Sequence, residues 1–452
     1  MLYITEKGEY MKKTLCLFMA ILLLIPVFLS GCQSANSSDE QEQILVYLPS
    51  SSYLGEVIRK YNRYLVDNNY ENRYKINVKL FDDKKENTSI TKMVTEIMAG
   101  AGPDIIALET DIPFEKLMQQ SIFADINEMI ENDTSEEKLD LSVYNSAIMD
   151  SCVVDGKRLM IPLAFSLNVM SAPSDLCSEY NIPVDKGLSY SNAPEALKDY
   201  LEKAKESKEL TVFSDFKAQL LNLIDDYVDF GESKVYFDTP QFQNDFKELR
   251  KLNIDNNSDN SNKDNKRGRY KDPYSFFENF YGSSSSLFQP VFDSFFGFDV
   301  FSGSDSHELI NGINKSESDI KATVKYAMAV NANSNKKQEV LEFIKYALSQ
   351  HIQTDWMNGY MPVNNQSFGM KLYYSTLEQN RYLGNDSDGS NSAEFVEKFL
   401  TLVDGVNVCN IPNSYYHNNI IGDIVDDFIS GKISEQKFLN QLKSKTNIFV
   451  NE

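Results

Sequence analysis

The chain has 452 residues, 42% hydrophobic and 12% aromatic, with 66 acidic against 44 basic residues and a net charge of −22. That length exceeds the roughly 250–300 residues at which a single core stops growing, so two lobes are expected. The charge repels polyanions, which sets nucleic acid aside as a partner.

The first element is a targeting segment. Lys12 and Lys13 precede an apolar stretch from Thr14 to Ser30, and Leu29-Ser30-Gly31-Cys32 closes it. A positive n-region, a short apolar h-region and small residues before a cleavage point are the parts of a secretory signal; Met11 reads as its start, leaving residues 1–10 without structural meaning. The final cysteine resembles that of the bacterial lipobox, which is acylated and becomes the new N-terminus. Residues 1–31 are therefore expected to be a lipoprotein signal peptide, with Cys32 the lipidation site that anchors the chain on the outer face of the cell membrane. The competing reading, an uncleaved transmembrane helix, meets a run at or below the roughly 17–25 residues a span needs, interrupted by Pro26. Residues 32–43 are polar and suit a flexible tether.

Order is expected from Ile44. Ile44 to Leu48 reads as a short buried strand, and Leu54, Val57, Ile58, Tyr61 and Leu65 then recur at helical spacing. Tyr74 to Phe81 reads as a second strand. Ile90, Met93, Val94, Ile97 and Met98 mark a second amphipathic helix ending at Gly100, and Ile105 to Leu108 a third strand. Alternating strand and helix predicts an α/β lobe with a largely parallel sheet and a crevice beyond the carboxyl ends of its strands. Later segments are helical: Leu197 to Lys205, Phe242 to Leu252, Glu339 to Leu348, Ile420 to Phe428 and Glu435 to Lys443, with Gly431 and Ser434 punctuating the last pair. Asn253 to Asp272 and Gly384 to Ser392 read as polar surface loops.

Cys152, Cys177 and Cys409 remain after the signal and match no zinc spacing. Two readings stay open: a Cys152–Cys177 disulfide, or buried thiols packing as small hydrophobes. The histidines are His307, His351 and His417; there is no Gly-x-Ser-x-Gly elbow and no His-Glu-x-x-His. Gly384 to Gly389 fails as a calcium loop, because glycine alignment puts Gly384 and Phe395 where ligands belong. No catalytic residue, metal or cofactor is expected.

Five segments in order carry a family resemblance. Met98-Ala99-Gly100-Ala101-Gly102-Pro103-Asp104-Ile105-Ile106 is a helix, a Gly-x-Gly-Pro-Asp turn and a strand. Ser121-Ile122-Phe123-Ala124-Asp125-Ile126 follows, with Ser121 where glycine is usual, and then Asp155-Gly156-Lys157-Arg158-Leu159-Met160-Ile161-Pro162. Tyr326 to Ser334, with Lys336-Lys337 and Phe343 to Ser349, and finally Gly359 to Asn364, complete the set. Together they resemble the extracellular solute-binding proteins of ABC importers, the family that includes maltose- and oligosaccharide-binding lipoproteins.

The resemblance implies a type II-like Venus-flytrap fold: two α/β lobes, three interlobe crossovers and hinged closure over a ligand. Its expected layout is lobe 1 over 44–160, lobe 2 over 161–323, a return segment to lobe 1 over 324–362 and lobe 2 helices over 363–452. Crossovers are expected near Ile161–Phe165, Val324–Ala332 and Tyr360–Asn364. The implied function is capture of a small solute, a sugar or oligosaccharide, for ABC permease subunits, by a monomer. By family position the cleft residues are Ser50, Ser51 and Tyr53; Glu109, Thr110 and Asp111; Phe165, Ser166 and Asn168; and Tyr360. The first loop and the crossover lack the charges that maltose-type members carry there. Alternatives of other classes are a ligand sensor or adhesin on the same fold and a surface glycosidase built on two carboxylates. Asp104 reads as a turn residue, while Trp356 and the group Phe292, Phe295, Phe296, Phe298 and Phe301 read as core.

Overall fold

The computed structural model describes residues 43–50, 52–70, 73–81, 86–109, 112–207, 210–213, 215–254, 286–290, 307–356, 360–382 and 390–451. The expected signal peptide, Cys32 and the tether up to residue 42 lie outside them. So do Ser51, Thr110, Asp111, most of the two polar loops and the phenylalanines at 292–301; the side chain of Trp356 is likewise not described.

Two sheets organise the rest. Their strands in chain order are Ile44–Leu48 (β1), Ile76–Leu80 (β2), Ile105–Ala107 (β3), Ile161–Leu167 (β4), Val169–Pro173 (β5), Thr211–Phe213 (β6), Ser286–Pro290 (β7), His307–Asn311 (β8), Lys321–Val330 (β9), Met361–Pro362 (β10) and Val408–Asn410 (β11). The first sheet runs β10-β4-β9-β3-β1-β2, with β11 also on β9, and the second runs β8-β5-β7-β6. β2, β1 and β3 are mutually parallel, and β11 runs parallel to β9; β9 itself lies antiparallel to β3 and to β4, so the run of parallel strands expected of lobe 1 stops at β3. The reason is connectivity: β1 to β3 are joined by helical crossovers that force parallel neighbours, whereas β9 returns from the other lobe and is free to run backward.

Local chemistry explains the first lobe. The helix Tyr53–Asp67 (α1) starts where Ser52 Oγ accepts the Gly55 N–H at 3.1 Å, and buries Leu54, Val57, Ile58, Tyr61 and Leu65 along one stripe. Glu86–Met98 (α2) leaves through Gly100 and Gly102 at φ of 77° and 90°. A Cβ on Gly102 would press 3.3 Å from the Ile97 nitrogen. Asp104 then fastens the turn: its carboxylate accepts Leu45 N–H at 2.8 Å, Ser334 Oγ–H at 2.6 Å and the Lys336 ammonium at 3.3 Å. Ser121, which stands where glycine is usual in the resembling segment, has φ of 55°. Asp155 and Gly156, at 51° and 78°, form the two-residue turn between Val153–Val154 and Lys157–Arg158.

Apolar burial divides the chain into two cores. One collects residues from Ile44 to Val169, Leu309, and residues from Ala322 to Val406; the other takes the rest from Met170 to Ile313 and resumes at Tyr416 to Val450. This differs from the expected layout at two places. Residues 161–169 belong to the first core, and Phe368, Leu372, Phe399 and Val403 bury there too, so of the residues after 362 the helical segments from Tyr416 onward, Tyr416–Ile421, Gly422–Ile429 and Glu435–Asn451, join the second. The crossovers also move. Ile161–Phe165, Val324–Ala332 and Tyr360–Asn364 lie in and around three neighbouring strands of the first sheet, with Phe165 opposite both Val324 and Met361. A chain leaving a lobe cannot keep its ladder partners, so the actual passages are Asn168, residues 315–320 and residues 411–415. Gly312 closes against the first passage: a Cβ there would lie 2.4 Å from the Asn168 carbonyl oxygen.

Cys152 and Cys177 are free thiols, one in each core, which removes the disulfide reading.

Candidate functional site: an interlobe cleft with two chambers

The floor of the cleft is β9. Strand alternation sends Ala322 and Val324 into the core and Lys321, Thr323 and Lys325 to the other face. The ladder between β9 and β4 then slips at Val324/Tyr326 and again at Tyr326/Ala327. Such an irregularity re-aims a side chain, and here it lets consecutive residues Lys325 and Tyr326 line the same cavity.

That cavity, about 400 Å³, sits at the carboxyl ends of β1 and β3. Pro49 and Tyr53 come from the loop and helix after β1, Leu108 and Glu109 from the loop after β3, and Pro412 and Ser414 from the third passage between lobes. Tyr53, Tyr326 and Tyr360 form one aromatic wall, with ring centroids 5.1 Å apart for Tyr53–Tyr326 and for Tyr326–Tyr360, and the Lys325 ammonium 5.9 Å from the Tyr360 ring. Burial, with Tyr360 beside it, pushes the Tyr326 phenol well above its ordinary range. Glu109 accepts the Leu54 N–H at 2.8 Å and the Tyr53 N–H at 3.1 Å, so its carboxylate faces the N-terminus of α1. Burial raises its carboxyl above the usual value, against the hydrogen bonds from the Ser52 side chain and those two amides.

A second chamber of about 350 Å³ shares Lys325 and continues over the hinge. Ser166, Asn168, Lys321 and Thr323 bound it on one side; Phe213 and Phe288 of the second sheet, 6.0 Å apart, and Gln219 and Asn222 of helix Phe216–Asp225 (α3) bound it on the other. Gln219 and Asn222, three apart on a helix, occupy one face. The Gln219 Oε1 atom is buried without a hydrogen-bond partner.

Of the expected site residues, Tyr53 and Glu109 line the first chamber, Tyr360 backs its wall, and Ser166 and Asn168 line the second. Ser50 is exposed on the loop after β1 and lines neither chamber. Phe165 does not form the cleft wall: it is 1% exposed and packs 6.4 Å from Phe368 in the first core. The odd–even rule explains the miss, since Ser166 on the same strand takes the opposite face. Reading by family position also overlooked Lys325 and Tyr326, though the run Lys321-x-Thr323-x-Lys325 with Ala322 and Val324 between is itself a period-two signal. Phe213, Gln219, Asn222 and Phe288 carry no signal in the sequence.

A larger cavity of about 730 Å³ lies beside Met118 to Asp125 and the tip residues Phe230 and Gly231. Its Asp125 carboxylate already accepts the Asn127 and Arg158 N–H groups, and none of the expected cleft residues reaches it. Among the described residues no cluster of three or more His, Cys, Asp or Glu is arranged to hold a metal ion, and no helix is long and apolar enough to cross a membrane.

No protein-family model matches the chain, and no curated protein matches it. Solved structures do. The ABC substrate-binding protein Lmo0181 from Listeria monocytogenes, in complex with cycloalternan, aligns over 90% of this chain and 98% of its own at 16% identity and a TM-score of 0.54. A cyclic alpha-maltosyl-1,6-maltose binding protein from Arthrobacter globiformis aligns over the same shares at 15% identity and a TM-score of 0.54. An ABC transporter solute-binding protein from Agrobacterium radiobacter, in complex with ribitol, does so at 16% identity and a TM-score of 0.55. This chain has the fold of the ABC-transporter solute-binding proteins. In solute-binding proteins with two hinged lobes, the cleft between them is where closure encloses a ligand, and both chambers described above lie there.

Proposed function

We propose that the protein is an extracellular solute receptor that takes a sugar or oligosaccharide into the interlobe cleft and delivers it to ABC permease subunits, held to the membrane by lipid on Cys32. The observation that carries this reading is the composition of the cleft: tyrosine and phenylalanine faces for the C–H surfaces of a sugar ring, beside hydroxyl, amide and ammonium groups for its hydroxyls. The ligands named for the structural neighbours, a cyclic oligosaccharide and a polyol, support the same chemical class. The anchor rests on Leu29-Ser30-Gly31-Cys32.

Binding without turnover is supported by the carboxylates. Glu109 is engaged by two backbone amides, and Asp215, which borders the second chamber, accepts the Ala218 N–H at 3.1 Å as the cap of α3. Each of these carboxylates is engaged by backbone N–H groups at the start of a helix. A thermal-denaturation screen against mono- and oligosaccharides tests the reading, because a ligand that binds only the folded chain raises its melting temperature; a flat response across the panel refutes it. Labelling with palmitate in a bacterial host, lost in Cys32→Ala, tests the anchor.

A further inference from the structure

We infer that the short helix Phe114–Gln119 is a latch: Lys116 and Gln119 clasp the second lobe and bias the two lobes toward closure by contacts of their own, independent of any solute in the cleft. The inference concerns the resting position of the lobes and goes beyond the receptor reading above.

The helix belongs to the first lobe, where Phe114 and Leu117 are buried in the core. Three residues apart on a helix, Lys116 and Gln119 share a face, and both reach across to the second lobe. The Lys116 ammonium stands 4.5 Å from the centroid of the Phe449 ring, and Gln119 Nε2 donates to the Phe230 carbonyl oxygen. The receiving surface is preassembled. Phe230, Tyr415 and Tyr416 pack on Phe449 at centroid distances of 6.2, 6.0 and 5.5 Å, and Tyr416 and Phe449 are buried in the second core. A ring fixed by three aromatic neighbours offers its face to a cation at little further cost in ordering.

Two features make these contacts a latch rather than part of a permanent interface. The first is location. Phe114, at the start of the same helix, lines the first chamber, whereas Lys116, Gln119, Phe230 and Phe449 line neither chamber. Parting the lobes at this helix breaks both contacts, and a solute in either chamber adds to them without competing for their groups. The second is extent. Immediately beyond, the lobes separate again around the cavity of about 730 Å³, with Gln119 on one side and Phe230 and Gly231 on the other. Gln119 is exposed and Lys116 half-buried, and contacts of these two kinds each shift an equilibrium by roughly two- to tenfold. That biases an open–closed equilibrium without freezing it.

Small-angle scattering of the purified protein, dialysed from denaturant to strip any retained solute, reads the lobe positions directly. Lys116→Met combined with Gln119→Ala should give a larger radius of gyration than the parent chain. Lys116→Arg, which keeps a cation for the ring, and Lys92→Ala, an exposed lysine paired with Glu96 elsewhere on the first lobe, should match the parent. In a Phe449→Leu background, Lys116→Met should add no further expansion, a non-additivity that a general effect of the substitution would not produce. Melting curves establish that each variant is folded, and because Gln119 is exposed, Gln119→Ala alone gives a smaller shift in the same direction should a Phe449 variant fail to fold. Equal radii for the parent and the folded double variant overturn the latch. So does a full expansion by Lys116→Met when Phe449 is already replaced. No sugar enters the measurement, so the latch can stand where the receptor reading fails and fall where that reading holds.

Discussion

The Lys321 ammonium lies 2.6 Å from Asp226 Oδ1, joining the strand that floors the cleft to the end of a helix in the second lobe. Lys321 is 3% exposed, and Asp226 also accepts the Tyr190 hydroxyl at 2.9 Å. The pair therefore ties the lobes together beside the hinge from within the protein. Removing one partner of a buried pair leaves the other charge uncompensated, so Lys321→Met is expected to destabilise the fold by about 3–5 kcal/mol. Denaturant unfolding measures this; a loss under about 1 kcal/mol would mean that water already screens the pair.

Phe165 and Tyr53 should behave oppositely. Phe165→Ala opens a void in a stacked run, with Phe368 a further 6.1 Å from Phe399, and is expected to cost about 3–5 kcal/mol of stability while ligand affinity in the folded fraction changes little. Tyr53 is 47% exposed, so Tyr53→Ala should leave stability within about 1 kcal/mol and weaken sugar binding severalfold. Calorimetry and unfolding on the same samples separate the two; equal affinity losses would return Phe165 to the cleft.

Ser121 holds φ at 55°, a conformation that disfavours a side chain. Ser121→Gly should relieve roughly 1 kcal/mol of backbone strain, less what glycine loses in unfolded-chain entropy. A small rise in melting temperature is the expected reading, and a fall would show that the Ser121 side chain contributes a contact worth more than the strain.

Asp133 governs acid stability in the first lobe. Burial raises its carboxyl, but the Ser135 N–H and hydroxyl, each at 3.0 Å, and the Lys345 ammonium at 3.1 Å prevail and hold it below the ordinary 3.8. A depressed carboxylate stabilises the fold fully above its unfolded value and loses that contribution as pH falls through the folded one. Asp133→Asn should therefore cost about 1.5–3 kcal/mol at neutral pH and progressively less below pH about 3.8. Unfolding of both proteins from pH 7 to pH 3 checks the convergence.

Cys152 and Cys177 should resist alkylation in the native state. Burial raises each thiol to about 12, so the thiolate that reacts is scarce at neutral pH. Labelling with iodoacetamide is expected only after denaturation; rapid native labelling of either would contradict its place in a core.

What the sequence made legible was local. The stripe of Leu54, Val57, Ile58, Tyr61 and Leu65, the Gly100–Asp104 turn and the helix stop at Gly431 each depend on neighbours in the chain, and each appears within a residue or two of where periodicity puts it. The predicted helices at 197–205 and 242–252 likewise appear as Lys198–Glu206 and Pro240–Lys251. Passages between lobes were not legible, because a strand that stays and a strand that leaves have the same apolar pattern until their ladder partners are known. Chamber residues such as Phe213 and Gln219 lie more than a hundred residues from Tyr326 in the chain, and only folding makes them neighbours.

The slipped ladder at Val324–Ala327 has an evolutionary corollary. Every residue of β9 is committed to one face or the other by counting from that slip, so an insertion or deletion of a single residue between Lys321 and Tyr326 would drive ammonium groups into the apolar interior. Relatives of this protein that acquire new ligands should therefore differ in β9 by substitution at alternate positions and never in its length, while the loops after β1 and β3 remain open to lengthening.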